Sequence, residues 1–218
     1  MKNEKKMSSH DVFLAIRNKI IHGDILPGES VKEVELAAEF GISRTPIREA
    51  LKKLESRGLL SYEKNRGMIV PVLDNKSIAE LFVIREMLEG TAAALAAKYA
   101  TDEEICILKD MITNDTNREY DPLMLARTNK LFHHTINQIA HNSYLIEFYS
   151  LLDESMSLLG KTTLSDPLRV DKTLAQHQCI VDAIEKRDSE LAKACAKEHA
   201  KSAYRARLRV LLDIEMNK

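Results

Sequence analysis

The sequence predicts a mainly α-helical protein in two parts, an N-terminal winged helix-turn-helix and a C-terminal antiparallel all-helical bundle. Three observations carry this. Apolar residues recur at spacings of three and four along most of the chain, and the alternating, β-prone pattern is confined to one short stretch after Gly58. The composition, 44% hydrophobic and 30% charged with no Trp and only 7 Gly and 5 Pro in 218 residues, is that of a helix-rich globular protein. Domains usually run to ~100–150 residues, so two modest ones are expected, 1–72 and 73–218.

The first helix is expected from about Ser9 to His22, where Val12, Ile16, Lys19 and Ile20 keep a 3.6-residue stripe and Gly23 stops it in a left-handed cap. A turn, "GDILPGES", follows. Two short helical patterns come next, separated by "GIS". The first carries Val34, Leu36, Ala37 and Phe40 and closes at Gly41. The second starts at Ser43, a good N-cap, has Pro46 in its first turn where no amide donor is required, and buries Ile47, Ala50, Leu51 and Leu54. "LLSYEKNRGMIVPV" then reads as a hairpin with Asn-Arg-Gly at its tip. Helix, helix-turn-helix, hairpin is the order of a winged helix. From Asp74 onward six helices are expected, at roughly 75–100, 102–119, 122–140, 143–160, 166–187 and 189–216, with Asp121-Pro122 and Asp166-Pro167 as matching start signals.

Charge divides with the parts. Residues 1–72 hold 13 Lys and Arg against 10 Asp and Glu, a net +3, whereas residues 73–218 hold 19 against 23, a net −4. That asymmetry suits a small nucleic-acid module joined to a neutral-to-acidic partner domain. No apolar run approaches the roughly 18 residues of a membrane span, and "MKNEKKMSSH" lacks the apolar core of a signal peptide, so a cytoplasmic protein is expected. Cys106, Cys179 and Cys195 lie in helical contexts without CxxC spacing and read as small buried hydrophobes in a reducing compartment.

Two constellations carry chemistry. The helix that begins "SRTPIREAL" presents Ser43, Arg44, Thr45 and Arg48 on its first turns, groups that bond phosphate oxygens or base edges, beside the free amides of a helix N-terminus. Arginine's fork matches the O6 and N7 of guanine, which makes Arg44 and Arg48 candidates for direct readout; Asn65, Arg66 and Gly67 at the hairpin tip would lie against the backbone or the minor groove. Two arginines on a solvated helix face are the plainer alternative, and the order of elements from Ile16 to Val70 argues against it.

The second constellation is histidine. Asn129 and His133 are four residues apart and share a helix face flanked by Leu125, Phe132 and Ile136, whereas His134 is turned away by ~100°. His177 and His199 fall near the apolar stripes of the last two helices. Three inward histidines and an amide oxygen could satisfy one another around a divalent transition metal, and such a ligand list does not choose among zinc, nickel, cobalt, iron and manganese. Ordinary polar core positions are the alternative.

The N-terminal stretch "IRNKIIHGDILPGESVKEVELAAEFGISRTPIREALKKLESRGLL", with "NRGMIV" after it, resembles the DNA-binding domain of GntR-type bacterial transcription regulators. The resemblance implies a homodimer on a double-stranded DNA operator, with contacts at Arg44, Thr45, Arg48 and the wing Gly67; Val34 stands where some members carry a basic contact residue. "IREMLEGTAAALAA", "NKLFHHTINQIAHN" and "HQCIVDAIEKRDSELAKACAKEH" are similar to the FCD effector domain of the FadR branch, in its shorter, VanR-like six-helix version. In metal-binding members the ligands correspond to Asn129, His133, His177 and His199. Asn in place of Asp removes a negative charge, so lower affinity or a different preferred ion is expected.

The expectation is therefore a DNA-binding repressor, not an enzyme, modulated by a small organic acid at a zinc or nickel site. Arg85 is a candidate for pairing the effector's carboxylate, with an intrahelical pair to Glu89 as its alternative role. A metal-dependent hydrolase and a purely structural ion are the competing readings.

Overall fold

The computed structural model describes residues 7–116, 120–160 and 162–216. The chain divides into two compact units, one of residues 1–78 with 153–160, the other of 79–152 with 161–218.

The first unit opens with α1 (Ser9–His22). Ser8 caps it by accepting from the Asp11 amide while the Asp11 side chain accepts from the Ser8 amide. Reciprocal capping of this kind satisfies two donors that would otherwise be orphaned. Gly23 ends the helix at φ 80°. β1 (Ser30–Val31), α2 (Glu33–Phe40), α3 (Arg44–Ser56), β2 (Ser61–Glu63) and β3 (Gly67–Ile69) follow. The strands form one antiparallel sheet in the order β1-β3-β2, with Ser30 opposite Ile69 and Tyr62 opposite Met68. β1 straddles the end of the segment expected to be a turn, with Ser30 its last residue and Val31 just beyond it: with only two residues, it has too little alternation to register as a strand. Val12, Ile16, Leu36, Ile47, Leu51, Leu54 and Val70 form the core of the unit, and Val34 is exposed.

Residues 153–160 add an internal ion pair to this unit. Glu154 is buried, and its Oε1 accepts from Arg17 Nε at 2.7 Å and Arg57 Nη1 at 3.0 Å.

The second unit is helical. Its elements are α4 (Asn75–Tyr99) from residue 79 onward, α5 (Asp102–Thr116), α6 (Pro122–Ile139), α7 (Ser143–Ser157) up to residue 152, a 3-10 turn at Thr163–Ser165, α8 (Pro167–Glu185) and α9 (Ser189–Met216). Residues 117–119, expected as the end of the second bundle helix, lie outside the described residues. Asp121 caps α6 through the Leu123 and Met124 amides, and Asp166 caps α8 through the Leu168 amide, each with Pro at the first helical position.

α4 and α9 are rich in alanine where they are buried: Ala92, Ala93, Ala96 and Ala97 on one, Ala192, Ala196 and Ala200 on the other. Gly90 marks a close approach, since a Cβ there would lie 2.9 Å from Lys197 Cγ. Small residues let the two backbones come together and bring the polar groups next to them within reach of one another.

The cysteines depart from expectation. Cys106 and Cys179 are exposed, Cys195 is half-buried, and Cys179 and Cys195 are joined across α8 and α9 with Cα atoms 6.1 Å apart. Cys179 lies two positions past the inward-facing His177, about 200° around the helix, which turns it outward.

Candidate metal centre and nucleic-acid interface

His133 on α6, His177 on α8 and His199 on α9 converge in the helical unit. All three are buried, and one ligand nitrogen from each lies within 4.8 Å of the other two. The ring centroids of His133 and His177 are 5.1 Å apart; His199 is 4.8 Å from each. Phe132 stacks on His177 at 3.9 Å, fixing that ring from one side. Each helix is oriented by an apolar stripe, Leu125, Phe132 and Ile136 on α6 and Val170, Ile180 and Ile184 on α8, and the histidines interrupt those stripes.

Burial keeps the imidazoles uncharged. Desolvation drives all three pKa values well below the ordinary histidine range; Arg85 adds to the effect at His133, His133 at His177, and His177 at His199. Neutral imidazole is the form that binds a metal.

One buried nitrogen of each ring, Nε2 of His133, Nε2 of His177 and Nδ1 of His199, has no hydrogen-bond partner among the described residues. Three unpartnered ring nitrogens in one place are costly in a packed interior, and a divalent cation with an affinity for imidazole would satisfy all of them through their lone pairs. Glu89 Oε1 sits 3.5 Å from His133 Nδ1, where a carboxylate holds the tautomer that leaves Nε2 free. The residues fit the ion.

Asn129 is half-buried one turn before His133. It lines a small cavity of about 10 Å³ with His177, Thr173 and Asp115, while His133 lines another of similar size with Glu89 and Asn137. Each has room for about one water molecule or ion. His134 is exposed. Arg85 is buried and donates from Nε to Glu89 Oε1 at 2.7 Å, the intrahelical pair weighed as its alternative role.

Three polar residues at this centre were not singled out from the sequence as site groups. Glu89 was read only as a partner for Arg85. Asn137, buried, donates from Nδ2 to the His133 carbonyl at 2.9 Å. Arg169, buried, precedes His177 by eight residues with Thr173 midway, a spacing of four that would have put it on the histidine's face.

In the first unit, Ser43, Arg44, Thr45 and Arg48 are all exposed at the start of α3. Ser43 is extended (φ −68°, ψ 162°), and its hydroxyl makes no capping bond. Arg48 is held by Glu33 of α2 through two hydrogen bonds, Nε at 3.1 Å and Nη2 at 3.0 Å. The bond draws the Glu33 carboxyl below its usual range and raises the guanidinium. In the hairpin turn Asn65 is exposed and Arg66 donates to the Gly28 carbonyl at 2.5 Å and to Glu63 at 3.3 Å. Gly67 has φ 77°, with open space where a Cβ would stand, so its backbone conformation rather than crowding favours glycine there.

Comparison with known sequences finds two family models along the chain. The model of bacterial regulatory proteins of the gntR family matches residues 8–70, and the FCD domain model matches residues 80–202, more than half of the chain. The chain belongs to the GntR family. GntR relatives include the probable D-xylose utilization operon transcriptional repressor of Paenarthrobacter nicotinovorans, 33% identical over 206 residues and covering 92% of this chain and 90% of that one. The gluconate operon transcriptional repressor of Bacillus licheniformis is 31% identical over 189 residues, 83% of this chain and 76% of the relative. Among solved structures, E. coli McbR/YncC superposes with a TM-score of 0.78 at 22% identity over 93% of this chain and 98% of that one, a likeness of fold. This GntR protein is a DNA-binding transcription regulator, and the hydrolase reading falls with that assignment. No helix among the described residues is long and apolar enough to cross a membrane.

Proposed function

We propose that this GntR regulator is a cytoplasmic homodimeric repressor whose grip on its operator is modulated by a small carboxylate bound at a zinc or nickel centre. The observation that carries the metal is the set of three buried histidines, each with one ring nitrogen lacking a partner among the described residues. His133, His177 and His199 hold the ion, and Asn129 adds a neutral oxygen. A bound divalent cation supplies a Lewis-acidic centre that takes up a carboxylate. The chain's own part is to keep the imidazoles neutral by burial, to orient His133 through Glu89, and to offer Arg85 beside the site. Relatives named for gluconate and galactonate operons support an organic acid, since both compounds are carboxylates.

Residues 1–72 serve as the DNA-binding domain, with Ser43, Arg44, Thr45 and Arg48 entering the major groove and Asn65, Arg66 and Gly67 on the wing. Residues 73–218 serve as the effector and dimerisation domain. Val83, Ile84 and Met87 form an exposed apolar strip along α4, at spacings that share one helix face, and this strip supports pairing between copies.

Thermal shift with gluconate, galactonate and lactate, before and after metal removal, tests the reading together with anisotropy on operator fragments selected from random DNA. Stabilisation by an acid only when metal is present, with loss of operator binding, supports it. A large effect of metal removal with no response to any acid would assign the ion a structural role instead.

A further inference from the structure

Cys179 on α8 and Cys195 on α9 are joined across the two helices, with Cα atoms 6.1 Å apart. In a reducing cytoplasm, the compartment proposed for this protein, disulfides are usually transient and serve catalysis or redox sensing, and exposed ones are the more labile. The two ends of this bond differ in access. Cys179 is exposed, whereas Cys195 is half-buried and packs against the core of the helical unit. An oxidant or reductant dissolved in water thus meets Cys179 first.

The fold does not rest on the bond. The turn between the helices closes itself, the Arg187 amide donating to the Ile184 carbonyl and the Asp188 amide to the Ala183 carbonyl, both at 3.0 Å. Between the two cysteines Ile180, Val181, Ala183, Ile184 and Ala192 are buried to 1% exposure or less. Opening the bond leaves that packing in place, so α8 and α9 stay a folded pair in either state.

What the bond adds is a tether beside the histidines. Cys179 follows His177 by two residues and Cys195 precedes His199 by four, roughly 3 and 6 Å along the helix axes. It ties together the two helices whose imidazole rings stand 4.8 Å apart.

We propose that Cys179 and Cys195 form a reversible redox site, closed by a hydroperoxide and opened by a low-molecular-weight thiol, that restrains α8 against α9 where they present His177 and His199. In closing, the Cys179 sulfur attacks the peroxide O–O bond and takes one oxygen as a sulfenic acid, while the thiol proton passes to the departing oxygen and gives an alcohol, or water from hydrogen peroxide. The Cys195 sulfur then displaces that hydroxyl, which leaves with the second thiol proton as water, and the S–S bond forms. In opening, one small thiol attacks the Cys179 sulfur and releases the Cys195 thiol; a second displaces the first, and the two depart as their own disulfide. The site stands on its sulfur atoms and does not depend on the histidines carrying metal.

The test uses the full chain, reduced with dithiothreitol and desalted, then treated with hydrogen peroxide and afterwards with glutathione. Free thiols titrated in denaturant should fall from three to one on oxidation, the survivor being Cys106, and return to three with glutathione. Peptide mapping should place the link between Cys179 and Cys195. Joining residues 16 apart in sequence should raise the Tm of the helical unit by roughly 6–12 °C and slow amide exchange through its unfolding about 100-fold, with exchange over residues 9–70 unchanged. Cys195→Ser should stop Cys179 at a sulfenic acid that dimedone traps. The Cys179→Ser/Cys195→Ser double variant, put through the same treatment, should show neither the Tm rise nor the slower exchange. A link through Cys106, a bond that glutathione leaves closed in the native protein, or equal Tm and amide exchange in the two states would each overturn the assignment.

Discussion

Replacing His199 by alanine gives the sharpest test of the metal centre. His199 is 1% exposed, and its Nδ1 is one of the three orphaned nitrogens, so truncation removes a ligand without disturbing the DNA-binding unit. Metal at one hundred times its Kd stabilises the folded protein by about 2.7 kcal/mol, and roughly 2–4 °C of Tm accompanies each kcal/mol in a chain of this size. Wild type should therefore gain roughly 5–11 °C on loading with zinc or nickel. Losing a direct ligand should weaken binding at least as much as losing an outer-shell partner, so about 100-fold is a fair minimum. At the same metal concentration the alanine variant keeps about 0.4 kcal/mol of that stabilisation, a gain of only about 1–2 °C. Differential scanning calorimetry of stripped and loaded protein, with elemental analysis of each sample, reads both quantities. A variant that gains as much as wild type and carries a full complement of metal would remove His199 from the centre.

Three further outcomes are expected. Arg48→Ala should abolish specific operator binding by anisotropy while leaving dimerisation and Tm nearly unchanged, because the side chain is exposed; tight operator binding would sink the recognition-helix assignment. Metal-free protein should lose stability as pH falls below about 6.5, because the unfolded histidines take up protons that the buried ones refuse, at roughly 1.4 kcal/mol per pH unit for each histidine that stays neutral. Glu89, which burial pushes up, works in the opposite sense; a urea midpoint that does not fall between pH 7 and pH 5.5 would contradict the burial of the imidazoles. Glu154→Gln should cost the first unit about 1–2 kcal/mol in urea unfolding, less than a fully enclosed pair because Arg17 and Arg57 reach water, and no change would mean that those arginines contribute nothing there.

Much of this was legible in the chain. Helix positions followed from spacing and punctuation: Gly23 and Gly41 as left-handed stops, Asp121-Pro122 and Asp166-Pro167 as starts. The four-residue step from Asn129 to His133 separated an inward histidine from its outward neighbour. Less legible were features made by partners distant in sequence. β1 is too short to show a period, and Glu89 meets His133 only because α4 and α6 both face the interior. Arg48's bond to Glu33 spans fifteen residues and depends on the crossing of two helices. Cys179 and Cys195 show how a periodic reading errs when a residue near an apolar stripe falls on its edge.

The Glu33–Arg48 pair changes what recognition by α3 means. If Arg48 enters the groove as proposed, DNA would substitute one partner for another rather than engage a free cation. A single phosphate oxygen replaces only half of a bond made through two nitrogens, whereas the O6 and N7 of guanine replace both. In the proposed complex the resident carboxylate would act as a built-in competitor that backbone contacts displace poorly and the right base edge displaces well. Discrimination between operator and bulk DNA would begin inside the free protein, before any base is touched.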